Sequence, residues 1–278
     1  MFDFYFGSKE DIEEKESDFI LFIKRMMPRW CNSIPDSECL AILDLLNMLP
    51  YKERPVLVET GTGASTIAML YYAAKNNGVL YSWDINQNKL AYIRDICNDT
   101  IFNHFRKNIF DHWKYIGYQS TSKYLGIPIL SELNEDVDFC FFDSEHTLNN
   151  LMGELSAINP VLSNGSIIAI DDANYNYINT NYAYINIFRK KLGLATIESP
   201  PENIGKPFYE EVSNYLNKSW NKVEYLKDSY KEKYQDDIFW SYYSLDRRAI
   251  ASVGMEKTDE LDHRFDAWKV SERNIHVR

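Results

Sequence analysis

The sequence contains few cysteines, and none of them form the C-x-x-C pairs typical of zinc sites and redox motifs. Only four of the 278 residues are cysteines. Small domains that depend on disulfides are much richer in this residue. We therefore expect neither a disulfide framework nor a zinc site, and instead reduced and mostly buried thiols. The four residues are Cys31, Cys39, Cys97 and Cys140.

Basic charge, long apolar runs and the features of a secretory leader are also missing. The formal net charge is −11, with 30 basic side chains against 41 acidic ones. Phosphate backbones and acidic headgroups repel such a protein, so we expect neither nucleic acid nor a membrane as its partner. No apolar run reaches the roughly 20 residues of a spanning helix, and the acidic N-terminal stretch does not resemble a signal peptide. The sequence therefore predicts a cytoplasmic protein.

Short apolar runs alternate with helix-like patterns after Pro55. This alternation predicts a mostly parallel sheet, and continuous apolar strands predict that both of its faces are covered. The predicted fold class is therefore α/β: a Rossmann-like, doubly wound, mostly parallel sheet with helices on both faces, an N-terminal helical extension and an insertion before the last strands. The predicted strands are VLVE (56–59), VLYSWD (79–84), WKYIGY (113–118), VDFCFFD (137–143), SIIAID (166–171) and AIASVGM (249–255).

The rest of the chain is arranged around this sheet. Residues 1–54 are predicted to form a helical cap, because two stretches carry apolar residues three and four apart and Asp36 can begin the second helix. Residues 55–255 are predicted to be the sheet domain, with a polar, tyrosine-rich insertion at about 175–222. Residues 256–278 are charged and are predicted to be a C-terminal tail, either a helix or an arm.

The strongest local motif is VLVETGTGASTIAML, in which a predicted strand leads through Gly61-Thr62-Gly63 directly into a helix. Glycines let the chain turn sharply and let a ligand approach the backbone, while the helix start offers unpaired amides and a positive dipole end. Asp84 ends the next strand about 20 residues later, where a carboxylate can accept hydrogen bonds from ribose hydroxyls. The motif therefore predicts either a dinucleotide or S-adenosylmethionine.

Two details favour S-adenosylmethionine. Thr66 replaces the third glycine of G-x-G-x-x-G, and the charge of Glu59 before the loop would repel a pyrophosphate. ETGTGAST resembles the first motif of class I methyltransferases, with Asp84 at the acidic position of their second strand. The resemblance implies that Glu59 and the Gly61–Gly63 backbone hold the amino-acid end of the cofactor and that Asp84 holds the ribose. The expected cofactor-binding residues are Glu59, Thr60, Gly61, Thr62, Gly63, Ser65, Thr66, Asp84, Ile85, Ser120 and Asp143.

Acidic residues follow two further predicted strands. Asp143 ends one strand, and Asp171 and Asp172 end another. If these strands are neighbours, three carboxylates meet at one edge of the sheet, where they repel unless a cation neutralises them or some stay protonated. An all-oxygen cluster suits Mg²⁺ or Ca²⁺. The alternative is that Asp143 and Asp171 cap the helices that follow them.

The segments FFDSEH and LSNGSIIAIDD resemble the metal-dependent O-methyltransferases, especially the macrocin-type sugar methyltransferases. The resemblance implies that Asp143, Asp171 and Asp172 bind a divalent metal such as Mg²⁺. In macrocin-type enzymes the base lies two residues after the first aspartate, which is Glu145 here. In catechol-type enzymes a catalytic lysine lies three residues after it, which is His146 here. Histidine titrates near neutrality and suits proton removal, so both residues are kept as candidate bases.

The sequence thus predicts an S-adenosylmethionine-dependent methyltransferase that O-methylates a hydroxyl of a small molecule or saccharide with the help of a divalent metal. One alternative is a nicotinamide-dependent Rossmann oxidoreductase that uses the same glycine loop. The other is a non-catalytic module that binds S-adenosylmethionine. A homo-oligomer is compatible with each of these readings.

Overall fold

A computed structural model describes residues 16–32, 34, 36–117, 135–144, 148–171, 173, 190, 192–196, 214, 216–223 and 266–271. Two helices precede the sheet, α1 (Glu16–Met26) and α2 (Asp36–Asn47), with a 3₁₀ turn at Arg29–Cys31 between them. Acidic residues in the first turn of α1 and basic residues in its last turn match the helix dipole. Within the described part of the chain, no helix is long and apolar enough to cross a membrane.

Strands and helices alternate from residue 56 onward, and each predicted strand up to residue 171 is found within a few residues of its expected bounds. The elements are β1 (Val56–Thr60), α3 (Ala64–Lys75), β2 (Val79–Asp84), α4 (Gln87–Cys97), a π-helical turn (Asn98–Phe102), α5 (Asn103–Phe105), α6 (Ile109–His112), β3 (Trp113–Gly117), β4 (Val137–Phe142), α7 (Leu148–Ile158), a 3₁₀ turn (Asn159–Val161), β5 (Leu162–Ile170), β6 (Trp220–Lys222) and β7 (Asp266–Val270).

The seven strands form one sheet in the order β3-β2-β1-β4-β5-β7-β6. β1 pairs in parallel with β2 and β4, and the outer pairs β2–β3 and β4–β5 are also parallel. β7 runs antiparallel between β5 and β6. The strand order reverses between β1 and β4, and ligands of open α/β sheets bind at the carboxyl ends of strands at such a reversal. The predicted Rossmann-like fold class is confirmed.

Alternate residues of the central strands enter two separate cores, one on each face of the sheet. Leu57 of β1 packs in the core that contains residues of α1, α2 and α3. Val58, the next residue, packs in the core that contains Leu151 and Leu155 of α7. Side chains of a strand alternate between faces, so a continuously apolar strand is buried on both sides. This arrangement confirms helices on both faces.

The C-terminal part of the sheet differs from the prediction. The antiparallel strand β7 lies within 256–278, so the prediction of a terminal helix or arm is wrong for these residues. The predicted strand AIASVGM at 249–255 lies outside the described residues. The charged residues of β7 prevented its recognition as a strand in the sequence. Asp266 is buried and pairs with Lys222 of β6 at 2.9 Å, and Trp268 is fully buried.

All four cysteines are buried free thiols, which confirms the prediction from their spacing. Cys31 lies in the turn before α2, and its Sγ donates a hydrogen bond to the carbonyl of Pro28 at 3.3 Å. Burial raises the pKa of Cys31 to about 11, against a smaller lowering effect of the nearby Lys89 charge. The thiol is therefore protonated at neutral pH, which makes it a poor nucleophile.

Candidate active site

The glycine loop turns at Gly61, directly after β1 and against the end of β4. Gly61 has a φ of +84°, and its amide donates to the carbonyl of Trp83 at 2.8 Å. A Cβ at this position would lie 1.8 Å from the carbonyl oxygen of Asp143. The amide of Asp143 in turn donates to the carbonyl of Thr60 at 2.8 Å. Only glycine allows this contact, which holds the loop against the first acidic residue of the predicted metal cluster.

Gly63 begins helix α3 in an extended conformation, with a φ of 179°. Its amide donates to Oγ1 of Thr66 at 2.9 Å, which caps the helix start. A Cβ here would lie 3.2 Å from the carbonyl oxygen of Cys31. The turn before α2 therefore lies against the glycine loop at Cys31, a contact that the predicted N-terminal helical cap did not specify.

Glu59 is fully buried at the centre of a hydrogen-bond network that joins the sheet to the start of α3. Its Oε1 accepts a hydrogen bond from Oγ of Ser82 at 2.5 Å. Its Oε2 accepts hydrogen bonds from Oγ of Ser65 at 3.3 Å and from Oγ1 of Thr66 at 3.1 Å. Nε1 of Trp113 donates to Oγ of Ser82 at 2.7 Å. The network fixes the first turn of α3 relative to strands β1, β2 and β3.

Burial raises the pKa of Glu59 to about 8; the hydrogen bonds from Ser82, Thr66 and Ser65 act against this rise, and the charge of Asp84 adds to it. At neutral pH the side chain is therefore mostly protonated. The structure places it on hydroxyls of the loop and helix, and the implied contact with the amino-acid end of the cofactor stays a prediction.

Replacing Ser82 by alanine is expected to lower the free energy of unfolding by about 2–5 kcal/mol. The change leaves Oε1 of Glu59 and Nε1 of Trp113 buried without their partner, and each unsatisfied polar group costs about 1–3 kcal/mol. Urea denaturation measures the loss. Ser271→Ala is the matched control, because Ser271 is exposed and donates one hydrogen bond to a backbone carbonyl. Equal losses in the two variants would show that the network adds nothing to stability.

Asp84 is buried at the end of β2 and contacts the glycine loop. Its Oδ2 accepts hydrogen bonds from the amide and Oγ1 of Thr62 at 2.8 and 2.7 Å, and its Oδ1 accepts one from the amide of Asn86 at 2.7 Å. Lys89, in the first turn of α4, donates from Nζ to the carbonyl of Thr62 at 2.9 Å and lies 3.3 Å from Oδ2 of Asp84. Ile85 beside them is 57% exposed. The one signal in the sequence that could have indicated Lys89 as a residue of the site is its position five residues after Asp84.

The acidic ends of β4 and β5 are neighbours, as the sequence prediction required. Phe142 pairs with Ile170, and the amide of Asp171 donates to the carbonyl of Phe142 at 2.9 Å. Asp171 is 5% exposed, and its Oδ1 has no hydrogen-bond partner among the described residues. Within that part of the chain, no group of three or more His, Cys, Asp or Glu side chains could hold a metal ion. The residues predicted for this edge that lie outside the described ranges are Asp172, Glu145, His146 and Ser120.

The segment that leads toward Glu145 is attached to α7. Oγ of Ser144 donates to Oε1 of Glu154 at 2.6 Å and accepts a hydrogen bond from Nδ2 of Asn150 at 2.8 Å. Glu154 is 2% exposed, so this contact is shielded from water. These contacts fix the chain directly after Asp143, and the sequence did not indicate them because both partners lie on a later helix.

The strand order, the antiparallel β7 and the glycine loop after β1 together define a Rossmann-like methyltransferase fold. Residues 58–173 match the family model described as "Methyltransferase domain", and this range contains the loop, Asp84, Asp143 and Asp171. The chain therefore contains an S-adenosylmethionine-dependent methyltransferase domain. This finding confirms the predicted enzyme class and the S-adenosylmethionine part of the cofactor prediction.

Several solved structures have a similar fold at low sequence identity. YjhP from E. coli is 11% identical, with 91% of this chain and 99% of that chain covered and a TM-score of 0.47. An rRNA methylase from Streptococcus thermophilus is 9% identical (84% and 96% covered, TM-score 0.43). The N-methyltransferase NodS from Bradyrhizobium japonicum WM9 is 12% identical (84% and 95% covered, TM-score 0.40). No curated protein matches the sequence. These likenesses do not indicate a methyl acceptor for this chain.

Proposed function

We propose that the enzyme transfers the methyl group of S-adenosylmethionine to a hydroxyl of a small molecule or saccharide at the carboxyl edge of β1, β4 and β5. The observation that supports this best is the contact of Gly61 with the backbone of Asp143. It brings the cofactor loop next to the acidic end of β4, and Asp171 follows the neighbouring strand. An acceptor hydroxyl bound at these carboxylates would lie beside the cofactor.

The cofactor is proposed to lie across the loop, with its ribose at Asp84 and its amino-acid end over Gly61–Gly63. The amides of Gly61, Thr62 and Gly63 already donate to Trp83, Asp84 and Thr66 respectively. The ammonium of the amino-acid end is a donor, so it suits carbonyl oxygens of the loop. Ile85 is exposed beside Asp84 and offers an apolar surface to the adenine.

Methyl transfer from a sulfonium is an in-line displacement. The acceptor oxygen forms a bond to the methyl carbon, the carbon–sulfur bond breaks, and S-adenosylhomocysteine leaves with the electron pair on sulfur. Holding the three atoms in line can contribute roughly 7–11 kcal/mol. The hydroxyl proton is proposed to pass to Glu145 or His146, which follow the anchored Ser144 in the sequence.

A divalent cation, proposed as Mg²⁺, would be held by Asp143, Asp171 and Asp172. Oδ1 of Asp171 has no hydrogen-bond partner within the described part of the chain, and this supports the proposal, because a buried carboxylate oxygen without a donor or cation is costly. Carboxylate oxygens are also the ligands that Mg²⁺ prefers. The ion would lower the pKa of the acceptor hydroxyl and fix its position.

The first experiment is calorimetric titration with S-adenosylhomocysteine, with and without Mg²⁺, which tests the proposed cofactor site. Binding weakened more than about tenfold by Asp84→Ala would support the cofactor placement. Transfer of a labelled methyl group to a panel of hydroxylated small molecules and saccharides then tests the acceptor class. A folded protein that binds the cofactor but methylates only amine nitrogens would contradict O-methylation, and one that methylates only nucleic acid would contradict a small-molecule or saccharide acceptor.

Chelation of divalent metal is expected to abolish methyl transfer while S-adenosylhomocysteine affinity stays within about twofold, because the proposed ion contacts the acceptor and not the cofactor. Asp171→Asn should reproduce the loss of rate, and excess Mg²⁺ should restore the chelated enzyme. Asp111→Asn, at an exposed residue of α6, is the control for loss of a carboxylate. Full activity in the presence of chelator would show that no metal is needed, and it would not contradict the proposed methyl transfer.

A further inference from the structure

Lys89 connects the glycine loop to the acidic residue at the end of β2. Its Nζ donates to the carbonyl of Thr62 at 2.9 Å and lies 3.3 Å from Oδ2 of Asp84, and its side chain is 24% exposed. An ammonium carries three N–H donors. Among the residues that the structure describes, these two oxygens are its only hydrogen-bond partners, so one donor is available to a ligand at the loop.

The hydrogen bonds of Asp84 limit how it can bind a ribose. Its Oδ2 already accepts two hydrogen bonds from Thr62 and one from Lys89, whereas its Oδ1 accepts only one from the described residues, from the amide of Asn86. Each carboxylate oxygen has about two lone-pair sites. Asp84 can therefore accept one more hydrogen bond, through Oδ1. A ribose presents two neighbouring hydroxyls, and the second needs a different partner.

We propose that Lys89 is that partner: its remaining N–H donates to one ribose hydroxyl oxygen while Oδ1 of Asp84 accepts from the other hydroxyl. The pair recognises the ribose by one donor and one acceptor. Lys89 is then a cofactor-binding residue that selects ribonucleosides against deoxyribonucleosides. This inference rests on the proposed placement of the nucleoside at Asp84.

Calorimetry on Lys89→Met tests the proposal, with Lys75→Met as the matched control. Lys75 is a half-exposed lysine on α3 whose one ion pair among the described residues is with Glu16, at 3.5 Å. Loss of a charged hydrogen bond is expected to weaken binding of S-adenosylhomocysteine and of adenosine about 10- to 150-fold in Lys89→Met, and less than twofold in Lys75→Met. Lys89→Arg keeps the charge and donors, and should recover most of the affinity. Urea denaturation of each variant establishes that it is folded.

Deoxy analogues of adenosine distinguish a direct contact of Lys89 with the ribose from a role of Lys89 in shaping the glycine loop. Wild type and Lys89→Met are compared on adenosine, 2′-deoxyadenosine and 3′-deoxyadenosine, by displacement of S-adenosylhomocysteine. For the ligand that lacks the contacted hydroxyl, the two proteins should bind nearly equally, because the interaction is already missing. If the variant loses the same factor on all three ligands, or loses nothing, Lys89 does not contact the ribose. If wild type binds no S-adenosylhomocysteine, the cofactor placement fails together with this inference.

Discussion

Replacing Gly61 by alanine is expected to abolish cofactor binding and to lower the free energy of unfolding by on the order of 3–5 kcal/mol. A left-handed backbone costs a residue with a Cβ about 1–2 kcal/mol. The Cβ would also lie 1.8 Å from the carbonyl oxygen of Asp143, so the loop or the end of β4 must move. Either movement breaks the hydrogen bond between the amide of Asp143 and the carbonyl of Thr60, and it displaces the edge at which the cofactor is proposed to bind.

Two other glycines provide graded controls for this change. Gly63 is extended, and its Cβ would lie 3.2 Å from the carbonyl oxygen of Cys31, so Gly63→Ala should cost about 1 kcal/mol. Gly153 lies in helix α7 with nothing within 4 Å of its Cβ, so Gly153→Ala should stabilise by about 0.5–1 kcal/mol. Urea denaturation and titration with S-adenosylhomocysteine measure all three variants. A Gly61→Ala protein as stable as Gly153→Ala would show that the loop does not pack on Asp143.

The parallel half of the fold was predictable because its signal is local. Strands β1, β2, β4 and the second half of β5 are mostly apolar runs buried on both faces, and a short apolar run between turn residues indicates a buried strand. Strand β7 gave no such signal, because Asp266 and Lys269 interrupt its apolar residues. Its stability comes from the neighbouring strands and from Lys222, which lies more than 40 residues earlier in the chain. That partner cannot be read from the local sequence.

For the candidate site, too, the sequence predicted the residues with a local signal but not the contacts between distant elements. The glycines and Asp84 follow from a spacing along the chain, and the pairing of β4 with β5 brings Asp143 and Asp171 to one edge as expected. The contacts that hold these residues involve partners distant in sequence, such as Trp113 on Ser82 and the Cys31 carbonyl over the loop. Such partners depend on packing between elements, and a single sequence contains no periodic pattern that reports it.

Glu59→Gln is expected to remove a large part of the dependence of stability on pH. Burial raises the pKa of Glu59 to about 8 in the folded protein, from 4.5 when unfolded. Below pH 4.5 Glu59 is protonated in both the folded and the unfolded state, so its full contribution to the free energy of unfolding is present. As pH rises toward 8 only the unfolded state ionises, so stability falls by on the order of 3–4 kcal/mol between pH 5 and 8. Above pH 8 the folded state ionises too, and the loss levels off.

Glutamine stands in for the protonated form of the side chain. Its amide nitrogen can donate to Oγ of Ser82, which reverses the direction of that hydrogen bond, and its oxygen can accept from the hydroxyls of Ser65 and Thr66, so all three contacts are kept. Because glutamine does not titrate, the variant and wild type should be about equally stable at pH 5, and the variant should be clearly more stable at pH 8.

Urea denaturation at each pH unit from 5 to 9 measures this difference. Glu53→Gln is the control, because Glu53 is an exposed carboxylate on the connector before β1 and its loss should leave the wild-type profile unchanged. Parallel profiles for wild type and Glu59→Gln would mean that Glu59 is ionised when folded. The buried charge would then be stabilised by the three hydroxyls and the dipole of α3, and a negative group would be present at the loop to attract the ammonium of the cofactor. The pH profile therefore also decides whether Glu59 is a neutral or a charged group beside the proposed position of the cofactor.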